Sequence, residues 1–426
     1  MPSGDFVVVG VYGAATAFAG HPLPAGPDVL VVRMTPAGAV TWAQTLDTKG
    51  ATGVDVAVDE LGDVVVFGGT QGTSFTLAGR TFTNAAAKFS EATFVAKLGG
   101  ADGAMRWAQA FVGTGSLGRP AYVRPSSGNA RSNMVVVGGT FGQTATFGAF
   151  PQTTAAAGAG YVVRLDPADG SVKWARSIEN AVLGTELSPS GDVVVDATYG
   201  EVSVGLDPAP APPTLPSGAK SVVFAKLAQA DGAPLASAWL TLTGGGANAA
   251  AGRLVRDAAT ARYVFSGGGV GVGFGGTALG PGPVLAALDE SFTLVWNGRG
   301  DGAGRLAPMG GARLAVVGSQ VTGTAGGTTG LLGVTFPTRS GAVGTTVLLM
   351  GLADATSGAL TRGYAVPTTG RVQNGDPGSL RPNGIAGGND GRLLVSADLD
   401  GIVNVDRCDI AANTTDTTLL VFAVGP

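Results

Sequence analysis

Short apolar runs rich in Val recur along this chain, each bounded by Gly or Asp-Gly turn residues. They read GDFVVVGVYG from Gly4, GDVVVFGGTQG from Gly62, SNMVVVGGTFG from Ser132 and GDVVVDATYG from Gly191. They continue as ARYVFSGGGVG from Ala261, ARLAVVGSQVTG from Ala312 and GRLLVSADLDG from Gly391. β-Branched runs closed by turn residues predict strands. The apolar positions are consecutive rather than alternating, so these strands are expected to be buried on both faces. No stretch sustains a 3.6-residue period, which predicts almost no helix.

Each run, strand type b, is followed by a second, type c. The c copies are DVLVVRM (Asp28), TFVAKLG (Thr93), YVVRLD (Tyr161), VVFAKLA (Val222), PVLAALD (Pro283), TVLLMGL (Thr346) and TLLVFAV (Thr418). A third type, d, follows a tight turn and carries Trp42, Trp107, Trp174, Trp239 and Trp296, at gaps of 65, 67, 65 and 57 residues. A degenerate sixth copy, LTRGYAV from Leu360, offers Tyr364 in place of Trp. A leading type, a, is clearest as GVDVAVD from Gly53.

Four-stranded units in such a series predict an all-β chain folded as a β-propeller, in which neighbouring sheets bury each other's faces. The count gives seven blades in a single domain over 1–426, with six or eight as alternatives. The approximate blades are 1–50, 51–115, 116–180, 181–247, 248–303, 304–370 and 371–426. A straight solenoid is the structural competitor. The count opens on a b strand and closes on a c strand, so the first and last blades are expected to have three strands. Thr418–Val424 is then an open edge, to be completed by a flanking segment of a longer chain or by another subunit.

Composition narrows the function. Gly is 72 of 426 residues, and charged residues are 13 % against a typical ~25 %, as suits many tight turns. Net charge is −4 and the 26 basic residues form no stripe, so no nucleic-acid partner is expected. The single Cys408 permits no intrachain disulfide, and the single His21 permits no His-pair zinc site and argues against a Ser-His-Asp triad. No signal peptide is visible, and the longest uncharged run, Ser266–Leu288, is too rich in Gly and Pro for a membrane helix.

The segment Val54–Phe111 resembles the bacterial β-propeller repeat (SBBP). Asp59, Gly62, Asp63, Phe94, Ala96, Lys97, Leu98, Gly103 and Trp107 stand where that repeat has its characteristic residues. The resemblance implies a secreted or surface protein without known catalysis, often part of adhesive, matrix or appendage proteins. RLDPADGSVKW, Arg164–Trp174, is also similar to the pyrroloquinoline-quinone-type propeller repeat. There the Trp packs against the neighbouring blade, which makes all five Trp expected structural staples. Quinone enzymes of that type use a carboxylate-held calcium and often a vicinal Cys pair, which one Cys cannot supply.

Few residues offer chemistry of their own. Asp398, Asp400, Asn404 and Asp406, with Asp409 close behind, supply hard oxygen ligands in an expected loop and are the candidate calcium site, although the EF-hand spacing is absent. The turn DPADG (Asp166–Gly170) could pass for a calcium loop, but Asp and Gly are also what a tight turn demands. Asn413 begins an N-glycosylation sequon, NTT. The b–c connections, Pro-rich at Gly205–Lys220, are expected to be recognition loops, with Phe75, Phe82, Phe147 and Phe150 as possible glycan platforms. The expectation is a non-enzymatic extracellular or cell-surface propeller for assembly, adhesion or protein–protein interaction. A glycan-binding module and an enzyme using carboxylates on one face are the alternatives.

Overall fold

The computed structural model describes residues 4–13, 17–18, 20–24, 26, 28–83, 91–114, 123–142, 144–153, 158–178, 182–199, 220–243, 254–275, 277–300, 304–321, 328–337, 346–369, 379–387, 393–400, 402–405, 408–411 and 418–424. Among them there is no helix, and every regular element is a β-strand. The fold is an all-β propeller, built from antiparallel meanders in which consecutive strands of a repeat pair with one another. The second repeat shows the pattern. Its strands a to d are Ala51–Val58, Val64–Thr70, Ala92–Leu98 and Met105–Thr114, paired in that order.

Period two explains why the runs are apolar throughout. In the second repeat, Val64, Val66, Phe94 and Ala96 pack with Val29, Val31 and Trp42 of the first. The intervening Val65, Phe67 and Val95 pack with Val135, Val137 and Tyr161 of the third. The sixth repeat does the same, sending Leu314, Val316 and Leu349 toward the fifth and Ala315, Val317 and Leu348 toward the seventh. The core therefore lies between neighbouring sheets. The b and c strands of the second and sixth repeats thus contribute to two cores at once.

The chain packs as two compact units, one of Met1–Pro213 with Val223–Ser237, the other of Thr214–Val222 with Ala238–Pro426. The described strands form six sheets of three or more strands, where one sheet per repeat predicts seven. The cause is a strand that keeps pairing past its own repeat. Leu240–Thr243, at the end of the fourth d strand, pairs with Gly271–Phe274 of the fifth b strand, so one eight-stranded sheet carries the strands of two repeats.

The same extension occurs twice more. Val112–Thr114 pairs with Thr144–Thr146, and Thr368–Thr369 with Ile402–Val403. In each case the partner belongs to the b–c connection of the following repeat. These connections are therefore not all open recognition loops: Ser74–Leu77 with Arg80–Thr83, Thr144–Phe147 with Phe150–Thr153, and Thr328–Leu331 with Val334–Pro337 are two-stranded hairpins. Left-handed residues make their tight turns, Ala78-Gly79 in the first and Leu332-Gly333 in the third.

The first repeat has three described b, c and d strands, Phe6–Tyr12, Asp28–Met34 and Val40–Leu46. In the seventh, Ser379–Gly387, Leu393–Asp400 and Thr418–Val424 form a three-stranded sheet with Thr418–Val424 at its edge.

Candidate functional site

The recurrent chemistry of this chain gathers at the turns between c and d strands. Three of them are five-residue turns with one geometry: Gly99–Gly103, Asp166–Gly170 and Ala228–Gly232. The last residue donates its N–H to the carbonyl of the first, at 2.8, 2.9 and 2.9 Å. Asp354–Gly358 closes the same way at 2.7 Å. The closing glycines have φ of +67, +74, +72 and +73, a conformation that costs a residue with a Cβ.

Each of these turns receives a Trp from the preceding repeat. The indole Nε1–H of Trp42 donates to the Gly100 carbonyl at 2.9 Å, that of Trp107 to Pro167 at 2.9 Å, and that of Trp174 to Gln229 at 2.9 Å. Trp296 donates to Ala355 at 3.0 Å. The acceptor is always the second residue of the turn. The ring then lies over the closing glycine: a Cβ on Gly103, Gly170 or Gly232 would stand 2.9, 2.6 or 2.8 Å from Trp42, Trp107 or Trp174. Gly358 meets Trp296 more closely still. The glycine thus serves twice, turning the chain and making room for the neighbour's ring.

Two arginines of c strands reinforce the latch. Arg33 donates to the same Gly100 carbonyl as Trp42, and Arg164 donates to Gln229, the acceptor of Trp174, at 3.0 Å. Arg33 is held by Asp5 at 2.7 Å. Lys97, at the same place in the second repeat, turns instead to Asp59 and Asp63, 3.1 Å from each. Asp59 caps its own turn by accepting from the Leu61 and Asp63 N–H groups, and Asp63 accepts from the Gly100 N–H at 3.0 Å. Burial pushes the Asp63 carboxyl up, but the Gly100 N–H and the Lys97 ammonium outweigh it and hold its pKa below the usual value.

Gly100 is confined on its other side by the a–b turn of its own repeat, where a Cβ would collide with the Gly62 carbonyl. Gly100→Ala is expected to cost about 1–3 kcal/mol, as overpacking against backbone does, read as a lowered denaturant midpoint at unchanged slope.

The five Trp do not share one place. In four repeats the Trp stands four residues after the last residue of its turn, Gly38, Gly103, Gly170 or Phe292. Trp239 stands seven residues after Gly232, where the fourth residue is Ala236. It is buried by a different route, in a strand running to Thr243. The fifth repeat's turn closes on Phe292, φ +62, instead of glycine, and that ring packs on Tyr263 at 5.9 Å between centroids. In the sixth repeat the fourth residue after Gly358 is Arg362; Tyr364, two places on, is 37 % exposed and replaces no Trp.

The other candidates fall elsewhere. Asp398 and Asp400 end the b strand Leu393–Asp400, Asn404 lies in Ile402–Val405, and Asp409 in Cys408–Ala411 with Cys408. The segment is strand and hairpin, with Asn404 opposite Asp409, rather than the expected acidic loop. Asp406 and Asn413 lie outside the described residues. Among the described residues no three His, Cys, Asp or Glu side chains gather at metal-binding distance. In DPADG the carboxylates serve the turn: Asp166 accepts from Ala168 N–H and pairs with Lys173, and Asp169 accepts from Ser171 N–H. The Lys173 ammonium, then the Ala168 N–H, lower the Asp166 pKa.

Phe75 and Phe147 are buried rather than presented to a glycan. Phe75 stacks on Phe82 at 5.4 Å, and Phe147 packs among Phe111, Phe141 and Tyr161, with Phe150 packed against the same core. The hairpin folds these aromatics back onto the sheets because alternate residues of a short strand must face the core.

The latch acceptors Gly100, Pro167, Gln229 and Ala355 are missing from the sequence reading. The fixed spacing from turn glycine to Trp was the trace they left.

No protein-family model matches the chain, that of the bacterial propeller repeat included, and no curated protein matches it. Among solved structures, BamB from Moraxella catarrhalis is similar at 11 % identity and TM-score 0.37, covering 90 % of this chain and 89 % of that one. A protein of unknown function from Dyadobacter fermentans DSM 18053 is similar at 11 % identity and TM-score 0.38, covering 82 % and 92 %. The quinohemoprotein alcohol dehydrogenase from Comamonas testosteroni is similar at 13 % identity and TM-score 0.31, covering 92 % and 71 %.

Proposed function

We propose that this chain is a non-enzymatic propeller for protein–protein assembly or adhesion, extracellular or on the cell surface, its seven repeats forming seven blades of one propeller. The observation that carries this is where the recurrent polar groups go. At four turns the indole N–H, the turn carbonyl and, twice, an arginine are bonded to one another between repeats. Groups engaged in this way build a rigid frame, and a rigid frame with few charges resists close approach of another protein less than a like-charged one. No cofactor is part of this reading. Calcium at Asp398–Asp409 would appear as slower hydrogen exchange of Leu393–Ala411 when calcium is added to chelated protein.

Cross-linking in the source cells, joined to sedimentation of the purified chain at rising concentration, tests the assembly reading. Cross-links to other polypeptides, or reversible growth in mass, are expected. A chain that is monodisperse at high concentration and uncross-linked in its native setting would end it.

A further inference from the structure

The first repeat buries a carboxylate where the next two repeats bury a methyl group. Its c strand, Asp28–Met34, has the same seven-residue length as Ala92–Leu98 and Ala159–Leu165, with Arg33, Lys97 and Arg164 in the sixth place of each. Ala92 and Ala159, in the first place, are buried. Asp28 is buried there too, 6 % exposed. Alanine meets the packing needs of that place, so the Asp28 carboxylate answers to something else.

The ladder sets three oxygen-bearing side chains in one row. Tyr12 is the partner of Asp28, and Asp47 follows Leu46, the partner of Val29. Neighbours across a ladder share a face, their Cβ atoms about 4.5–5.5 Å apart. The phenol and both carboxylates therefore converge at one end of the sheet. Burial first, then the charges of Asp28 and Asp47, raise the Tyr12 pKa. Asp28 Oδ1 and the Tyr12 hydroxyl are both covered, with no hydrogen-bond partner among the described residues. Lys49 does not relieve Asp28: its ammonium is bonded to Asp47 at 2.8 Å, and both of those side chains are about half exposed, 57 % and 46 %. A covered carboxylate beside a second carboxylate and a phenol is costly unless a counter-charge joins it.

We propose that Tyr12, Asp28 and Asp47 form a binding site for a hard divalent cation of calcium's size. Two carboxylates supply charge, the phenol supplies a neutral oxygen, and water completes the coordination from the open side at Asp47. Lys49 competes with the cation for Asp47. The bound ion would tie together the ends of the b, c and d strands of the first repeat. This site is separate from Asp398–Asp409 and goes beyond the assembly reading without resting on it.

The test is calcium chloride titrated into the full, chelator-treated chain, followed by calorimetry and by the melting midpoint. A Kd of about 0.1–1 mM and a midpoint that rises with calcium are expected. Asp28→Ala copies the second and third repeats and should weaken binding at least about tenfold. In chelator the same variant should melt no lower than wild type, because it removes an unpaired buried charge. Asp47→Asn should also weaken binding, whereas Lys49→Gln frees Asp47 and should strengthen it about two- to fivefold at low salt.

No heat and no change in midpoint up to about 10 mM calcium overturns the proposal. So does binding that Asp28→Ala leaves unchanged, which would put the calcium elsewhere in the chain. A calcium-free Asp28→Ala protein that melts well below wild type would show that the carboxylate is paired within the protein, and would overturn it as well.

Discussion

Trp107→Ala and Trp174→Ala should each lower stability by about 3–5 kcal/mol, measured by equilibrium denaturation of the full chain. Both rings are buried, Trp107 within the core shared by the second and third repeats. Each covers a glycine that has no side chain with which to fill the space left behind. The Phe variants separate packing from the hydrogen bond. At Trp174, Arg164 continues to donate to the Gln229 carbonyl, so Trp174→Phe should cost less. At Trp107, the equivalent basic side chain Lys97 is turned away to Asp59 and Asp63, so the Pro167 carbonyl loses its indole donor without that relief. Trp107→Phe should therefore cost more by about 1 kcal/mol, a typical net hydrogen-bond value. Equal costs for the two Phe variants, or an Ala variant that melts like wild type, would show that the latch does not hold these repeats together.

Much of the architecture was legible because it repeats. All seven copies of the Val-rich run form strands of meanders, and those of the second and third repeats, Val64–Thr70 and Met134–Phe141, are buried on both faces. What was illegible lies where the chain departs from its period. The merger of two repeats into one sheet depends on Leu240–Thr243 continuing past its repeat, through text too Gly-rich in its partner Gly271–Phe274 to mark a pairing edge. Trp239 looked equivalent to the other Trp because gaps of 65 and 57 residues absorb a three-residue slip. Phe75 and Phe147 looked exposed because a long connection reads as a loop until its alternation is recognised as a hairpin. The latch acceptors are backbone carbonyls, which no side-chain pattern can display.

Removing Lys97 should be as damaging as removing a Trp, for an electrostatic reason. The Lys97 side chain is 6 % exposed and lies 3.1 Å from both Asp59, 1 % exposed, and Asp63. Without it two carboxylates share a site that water reaches poorly. Lys97→Met should cost about 3–5 kcal/mol at pH 7, the usual penalty for breaking a buried ion pair from one side. The deficit must then depend on pH. In wild type the Asp63 pKa lies below its ordinary 3.8, so the stability it contributes is complete above that value. That contribution is lost as pH falls through the lowered folded-state pKa. In Lys97→Met the Asp63 carboxyl loses the ammonium that helps hold its pKa down, so the gap to wild type should narrow as pH falls through the ordinary value of 3.8. Replacing all three, Lys97→Met with Asp59→Asn and Asp63→Asn, should recover most of the loss at pH 7, because no buried charge remains and an amide oxygen still accepts the Leu61 and Asp63 N–H bonds. Melting curves of the three proteins from pH 7 to 3 decide it. A deficit independent of pH, or a triple variant no better than Lys97→Met, would mean that Lys97 acts by packing its alkyl stem rather than by neutralising its neighbours.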